Sequence, residues 1–250
     1  MTHRNSARSC WLWGAGITAL LWGFLLCFSD IYFAANDDQF ILRAMTGFQP
    51  GGTPDFHPFL LGFYVYPLRW LQRFFPGVAW YSLLELLLLA LALTVILKSL
   101  LQCWLRAGRR LRTGLLLCAG YAALYGSNYL ARVTFTVTGA MLGAAAVAQI
   151  LSIDCQSASD RSLLRAMTLA MLTLITTPLL ILCYGLRQLS LVPVLGYCGI
   201  AFLLRFCSFF GFGKQTKRSA RPMLVAAGLA LLILGGLFAG RALEIRLKQK

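Results

Sequence analysis

Seven stretches of this chain are apolar for long enough to cross about 30 Å of hydrocarbon as helices: residues 11–35, 78–103, 114–130, 133–153, 166–186, 189–210 and 223–241. Few folds accept such a sequence, because a helix that is apolar on every side must be covered all round by lipid or by other helices. The composition agrees: 59% of the residues are hydrophobic, mean hydropathy is +0.72, and charged residues make up 12%. That is too little polar surface to solvate a water-soluble globule of 250 residues. The expected fold is all-α: a polytopic integral membrane protein of about seven transmembrane helices, forming one membrane domain over residues 1–250.

The charges orient that domain. Lys and Arg number 23 against 8 Asp and Glu, an excess that in a soluble protein would point to nucleic acid. Here the cations sit in short segments between apolar runs: Arg4 and Arg8, then Arg106, Arg109, Arg110 and Arg112, then Lys214, Lys217, Arg218 and Arg221. With seven spans all three segments fall on one side, which the positive-inside rule makes the cytoplasm. The amino terminus is then inside and the carboxyl terminus outside, and no nucleic-acid partner is expected.

Acid is concentrated elsewhere. Asp30, Asp37 and Asp38 are three of the first four acidic residues, grouped where the first span ends. They open the loop 36–77, which also carries Asp55, His57 and the turn Gly51–Gly52–Thr53–Pro54. Carboxylates beside a bilayer are costly to keep ionised, so function is sought in this extracytoplasmic loop. It is expected to hold two interfacial helices, 37–46 and 58–75, with His57 starting the second. The segment 57–76 is apolar, but its uninterrupted part is about ten residues, too short to cross. Pro67 breaks it and Arg69 and Arg73 follow, leaving Tyr64, Tyr66 and Trp70 at headgroup depth. Asn36 or Asp37 is expected to cap a helix starting near Asp38. Capping uses one acid and leaves the other for chemistry, which favours Asp38.

More polar residues converge on the same face. Glu85 lies near the outer end of the second span, Asn128 and Arg132 lie in the short outer hairpin after the third, and Arg187 lies at the next outer turn. Arginines beside a carboxylate suit a lipid phosphate held next to a group that does chemistry or binds a metal. The first span reads as a retained signal anchor, since Tyr32–Phe33–Ala34–Ala35 lacks an A-x-A cleavage site. The eight cysteines form no C-x-x-C pair and read as small apolar filler. No nucleotide-binding, nucleophile-elbow or zinc-protease motif occurs.

The residues Asn36–Asp37–Asp38 after a first span, Thr46–Gly47, Gly52, Pro54, His57, Leu61–Gly62, Pro76, Trp80–Tyr81 and Val133–Thr134–Phe135–Thr136–Val137–Thr138 resemble bacterial polytopic proteins similar to C-type membrane glycosyltransferases. The resemblance covers roughly the first 140 residues, and the rest only as a hydropathy pattern. It implies a seven-helix module in a bacterial inner membrane, transferring a sugar from a polyprenyl-phosphate donor to a cell-envelope acceptor at the outer face. Asp37 or Asp38 would then be the general base or a ligand for a divalent cation, with His57, Arg132 and Arg187 binding substrate. Such proteins continue past a seventh span, whereas this sequence stops at Lys250. Two other classes stay open: a non-catalytic membrane protein binding a lipid or a partner helix bundle, and, less favoured, a transporter using Glu85 and the Asp pair.

Overall fold

The computed structural model describes residues 3–33, 36–46, 60, 62–152, 176–186, 193–201, 204 and 235. They are mostly helical: α1 (His3–Phe28), α2 (Asn36–Thr46), α3 (Gly62–Phe74), α4 (Trp80–Arg106), α5 (Leu111–Tyr121), a π-helical turn (Ala122–Gly126), α6 (Ser127–Ala131) and α7 (Phe135–Leu151). Two further helices follow, α8 (Thr176–Leu186) and α9 (193–201). Two two-residue strands, β1 (Tyr32–Phe33) and β2 (Arg132–Val133), pair in parallel. Among the described residues two helical segments are long and apolar enough to cross a membrane, Arg8–Phe28 with 21 residues and Trp80–Arg106 with 27.

α4 is the centre of the bundle. Along its length Leu88, Leu89, Ala92, Leu93, Ile96, Leu97 and Leu101 are buried, because α1, α5 and α7 all pack on it. Its partners alternate in direction. Gly14 of α1 lies against Thr94 and Lys98, and Thr94 donates from its hydroxyl to Thr18 at 3.1 Å, so α1 and α4 run antiparallel. The run from Leu111 to Ala131 turns back again: Gly114 lies against Leu101 and Trp104, the Cys118 thiol reaches the Leu97 carbonyl, and Gly126 lies against Leu93 and Leu21. This run is helical throughout, about 30 Å long at 1.5 Å per residue. α7 runs parallel to α4, with Gln149 beside Lys98 and Ser152 beside Arg106.

Four passes of chain therefore give the bundle two chemically distinct ends. One gathers Arg8, Arg106, Arg109, Arg110 and Arg112; the other gathers Asp30, α2 with Asp37, Asp38 and Arg43, α3 with Arg69 and Arg73, and Arg132. Glycine and alanine let helices approach one another closely. On α7 the buried positions Gly139, Gly143, Ala145 and Ala146 supply such a face, and a Cβ on Gly143 would lie 2.3 Å from Val194 of α9.

Several expected boundaries are corrected. The first helix begins at His3 and ends at Phe28 instead of running to 35, because Tyr32 and Phe33 are drawn into extended pairing with Arg132 and Val133. α2 opens at Asn36, so Asp37 and Asp38 lie within its first turn and neither precedes the helix. Carboxylates are favourable there too, beside the positive end of the helix dipole. Pro67 does not break the second loop helix: it stands inside α3, exposed, in the second turn, where only one backbone hydrogen bond is lost. That helix starts at Gly62. At 13 residues it is about 20 Å long, too short to cross a bilayer.

The expected spans 166–186, 189–210 and 223–241 fall largely outside the described residues, as do Asp55, the turn 51–54 and the basic segment 212–222.

Candidate functional site

The end that holds Asp30 and Glu85 is built from the loop helices and the strand pair. β1 and β2 align Tyr32 with Arg132 and Phe33 with Val133. This puts Arg132, which is exposed, one strand spacing of about 4.8 Å from the backbone that leads into α2. The strand pair closes at Thr134, whose Oγ1 accepts from the Val137 amide at 3.0 Å and caps α7. Thr138 donates from its hydroxyl back to the Thr134 carbonyl at 2.9 Å. The Val133–Thr138 segment thus anchors the turn that carries Arg132.

α2 packs on α3 and α4. Its fully buried residues are Ile41 and Ala44, while Gln39, Phe40 and Arg43 are exposed. At 100° per residue, Asp37 shares the helical stripe of Ile41 and Ala44, at spacings of four and seven. Asp38 lies a quarter turn off that stripe. By helical period alone, position 37 falls on the stripe of Ile41 and Ala44.

α3 is fastened beneath by aromatic contacts. Tyr64, Val65 and Leu68 are buried, whereas Tyr66, Trp70 and Phe74 are exposed. The helical period of α3 turns Tyr64 inward and leaves Tyr66 and Trp70 facing out. Its hydroxyl donates to the Leu182 carbonyl of α8 at 3.2 Å. Gly185 of α8 receives it, since a Cβ there would lie 2.2 Å from the Phe63 ring and 2.5 Å from the Tyr64 ring. Burial first, then the Glu85 carboxylate and Cys183, push the Tyr64 phenol above its ordinary value of 10.0. The hydroxyl stays protonated and remains a donor at any physiological pH.

Glu85, on α4 below this junction, is 0% exposed. A carboxylate so placed in an apolar bundle is expensive and is retained for function or for a specific contact. Asp37 and Asp38 stand on α2, Arg132 on β2, Tyr64 on α3 and Glu85 on α4. His57 and Arg187 lie outside the described residues. Asp37 and Asp38 are the residues that would hold a divalent cation. Among the described residues no group of three His, Cys, Asp or Glu is positioned to hold a metal ion.

The structure adds one residue that the sequence reading passed over. Lys98, in the middle of α4, is 4% exposed. Its ammonium donates to Gln149 Oε1 at 2.7 Å and lies 5.4 Å from the centre of the Trp11 ring, while Ser99 reaches the same Gln149 oxygen at 3.4 Å. A lysine inside the apolar run Ala92–Leu101 is a legible signal. Gln149→Leu removes the acceptor of a buried ammonium and is expected to lower stability by about 1.5–3 kcal/mol. Adding Lys98→Met should restore most of the loss, because removing both partners of a buried polar pair is close to neutral. Thermal unfolding of the variants in one detergent checks this, and a double variant weaker than the single would show that Lys98 does more than satisfy Gln149.

Comparison with protein-family models, with curated proteins and with solved structures finds no match for this chain.

Proposed function

We propose that this is a polytopic protein of a bacterial inner membrane, with seven spans, its amino terminus cytoplasmic and its carboxyl terminus outside. In this reading it transfers a sugar from a polyprenyl-phosphate donor to a cell-envelope acceptor at the outer face, as C-type membrane glycosyltransferases do. The observation that carries the proposal is that α2, with Asp37 and Asp38 in its first turn, packs on α3 and α4 at the end that holds the described acids. The sequence resemblance points to the same acids. The arginines at the other end support a cytoplasmic placement.

The chemistry follows from the groups at that end. Asp37 takes the proton of an acceptor hydroxyl. The hydroxyl oxygen bonds to the sugar's anomeric carbon as the bond from that carbon to the phosphate oxygen breaks, and polyprenyl phosphate leaves with the electron pair. Arg132, joined by Arg187 and His57, stabilises the departing phosphate, where charge-assisted contacts are strongest. Tyr64 and Gly185 hold α3 against α8 and so keep the loop helices in place.

A second reading rests on α1, where Leu12, Leu20, Phe24 and Phe28 are 74%, 78%, 59% and 76% exposed. A face this apolar also suits a non-catalytic membrane protein bound to lipid or to a partner helix bundle.

Two measurements test the proposal. Single cysteines at Gly51 and Arg110 should react with an impermeant thiol reagent from outside and from the cytoplasm respectively; the reverse pattern overturns the topology. Membranes containing the protein should consume a radiolabelled polyprenyl-phosphate sugar and release free carrier, and a carrier pool left unchanged beside a correctly oriented protein favours the second reading.

A further inference from the structure

At the arginine end, α1 and α5 part to leave a groove of about 450 Å³ lined by Trp13, Ile17, Arg112, Leu115, Leu116 and Ala119. The lining positions on α5 are spaced by three, four and seven residues and those on α1 by four, so the groove follows the helix axes. It is a wedge. Further along, the two helices close again where Gly126 meets Leu21 of α1, a Cβ there lying 3.1 Å from the Leu21 side chain.

We propose that this wedge holds one acyl chain of an anionic phospholipid from the cytoplasmic leaflet, with the lipid phosphate on Arg112. The inference rests on the reading that α1 and the run 111–131 cross the membrane with the arginines inside.

Three observations select that occupant. The groove is apolar along its body, and Arg112 is its only charged lining residue and stands at the bundle's end. A guanidinium meets a phosphate with two parallel hydrogen bonds, and an anionic headgroup leaves that attraction unopposed, whereas the cationic choline of a zwitterionic lipid offsets it. Arg109 and Arg110 lie beside it, and the described acidic residues Asp30, Asp37, Asp38 and Glu85 all belong to the other half of the bundle. No carboxylate among the described residues therefore competes for Arg112. Finally, from Arg112 to Ala119 the groove is about 10 Å long, less than one leaflet of a 30 Å hydrocarbon core. A partner helix needs a seam along the full span, whereas a single chain entering from one leaflet needs only this much.

The test uses the full protein in nanodiscs made from equal parts phosphatidylcholine and phosphatidylglycerol, followed by detergent release and native mass spectrometry of the retained lipid. The wild type should keep phosphatidylglycerol in preference to phosphatidylcholine. Arg112→Gln should reduce that preference roughly tenfold, because the charge it removes favours a net anionic headgroup over a zwitterionic one. Ala119→Trp, which fills the groove, should reduce retention of both lipids. Arg109→Gln, off the lining stripe, should change neither.

Equal retention of the two lipids by the wild type, or equal losses for Arg109→Gln and Arg112→Gln, overturns the site. If Ala119→Trp fails to fold, the contrast between the two arginine variants decides alone. Labelling of the cysteine at Arg110 separates the two readings. Reaction from outside overturns the assignment to the cytoplasmic leaflet, whereas lost lipid preference with cytoplasmic labelling overturns the groove alone.

Discussion

Asp37→Asn is expected to lower sugar transfer by roughly 10²–10⁴-fold, the contribution usual for a general base, with the protein still present in the membrane at its normal level. Asparagine keeps the size of the side chain and can still accept a hydrogen bond in the first turn of α2, so folding should be spared. What it loses is the ability to take a proton from an acceptor hydroxyl. Asp37 shares its stripe with Ile41 and Ala44, both 0% exposed, which turns this position toward α3 and α4. Asp38→Asn should cost much less, since that position lies off the stripe. Carrier-release assays on the two variants at matched protein level give the answer. Full activity in Asp37→Asn, or equal loss in both, removes Asp37 from the chemical role and leaves the non-catalytic reading.

Gly14→Val should destabilise the fold by about 1–3 kcal/mol, as for a substitution that overpacks a close contact. A Cβ on Gly14 would lie 3.0 Å from the Thr94 carbonyl oxygen and 3.1 Å from the Lys98 amide nitrogen, both main-chain atoms of α4. Backbone cannot swing aside as a side-chain tip can, so α1 must move away. That movement would stretch the Thr94–Thr18 hydrogen bond, now 3.1 Å, and lift Trp11 from Lys98, now 5.4 Å from its ring centre. In a bilayer such contacts carry helix association directly, because separated helices gain nothing from hiding apolar surface. Gly16→Val is the control, since a Cβ there meets nothing within 4 Å. Heat stability of the two variants in the same detergent distinguishes them, and similar losses would mean that the α1–α4 contact does not limit stability.

Some of this was legible in the chain itself. Apolar runs of some twenty residues announce helices whatever packs on them, because backbone groups away from water must bond within their own segment. The Arg-rich turns between runs announce which ends belong together. The loop helix at Asn36–Thr46 could likewise be read from its local pattern, and so could the acid concentration that marked Asp37 and Asp38. The motif Val133–Thr138 carried its own explanation in the cap at Thr134.

Tertiary structure decided the rest, for reasons no local pattern contains. The first helix stops at Phe28 because the next residues pair with a strand a hundred positions away, and register across strands is not written in either segment. Tyr64 looks like an interfacial aromatic in sequence, yet it is buried because Gly185 on a distant helix leaves room for its ring. Pro67 reads as a breaker, but a second-turn proline costs one hydrogen bond, which packing of Tyr64, Val65 and Leu68 offsets. Lys98 reads as a single charge in a long apolar run; only the parallel approach of α7 supplies Gln149 and makes its burial tolerable. Among the described residues, hydropathy therefore determined where the long apolar helices lie. The inward face of each helix was set by close contacts between segments far apart in the chain, where one glycine or one acceptor decides the packing.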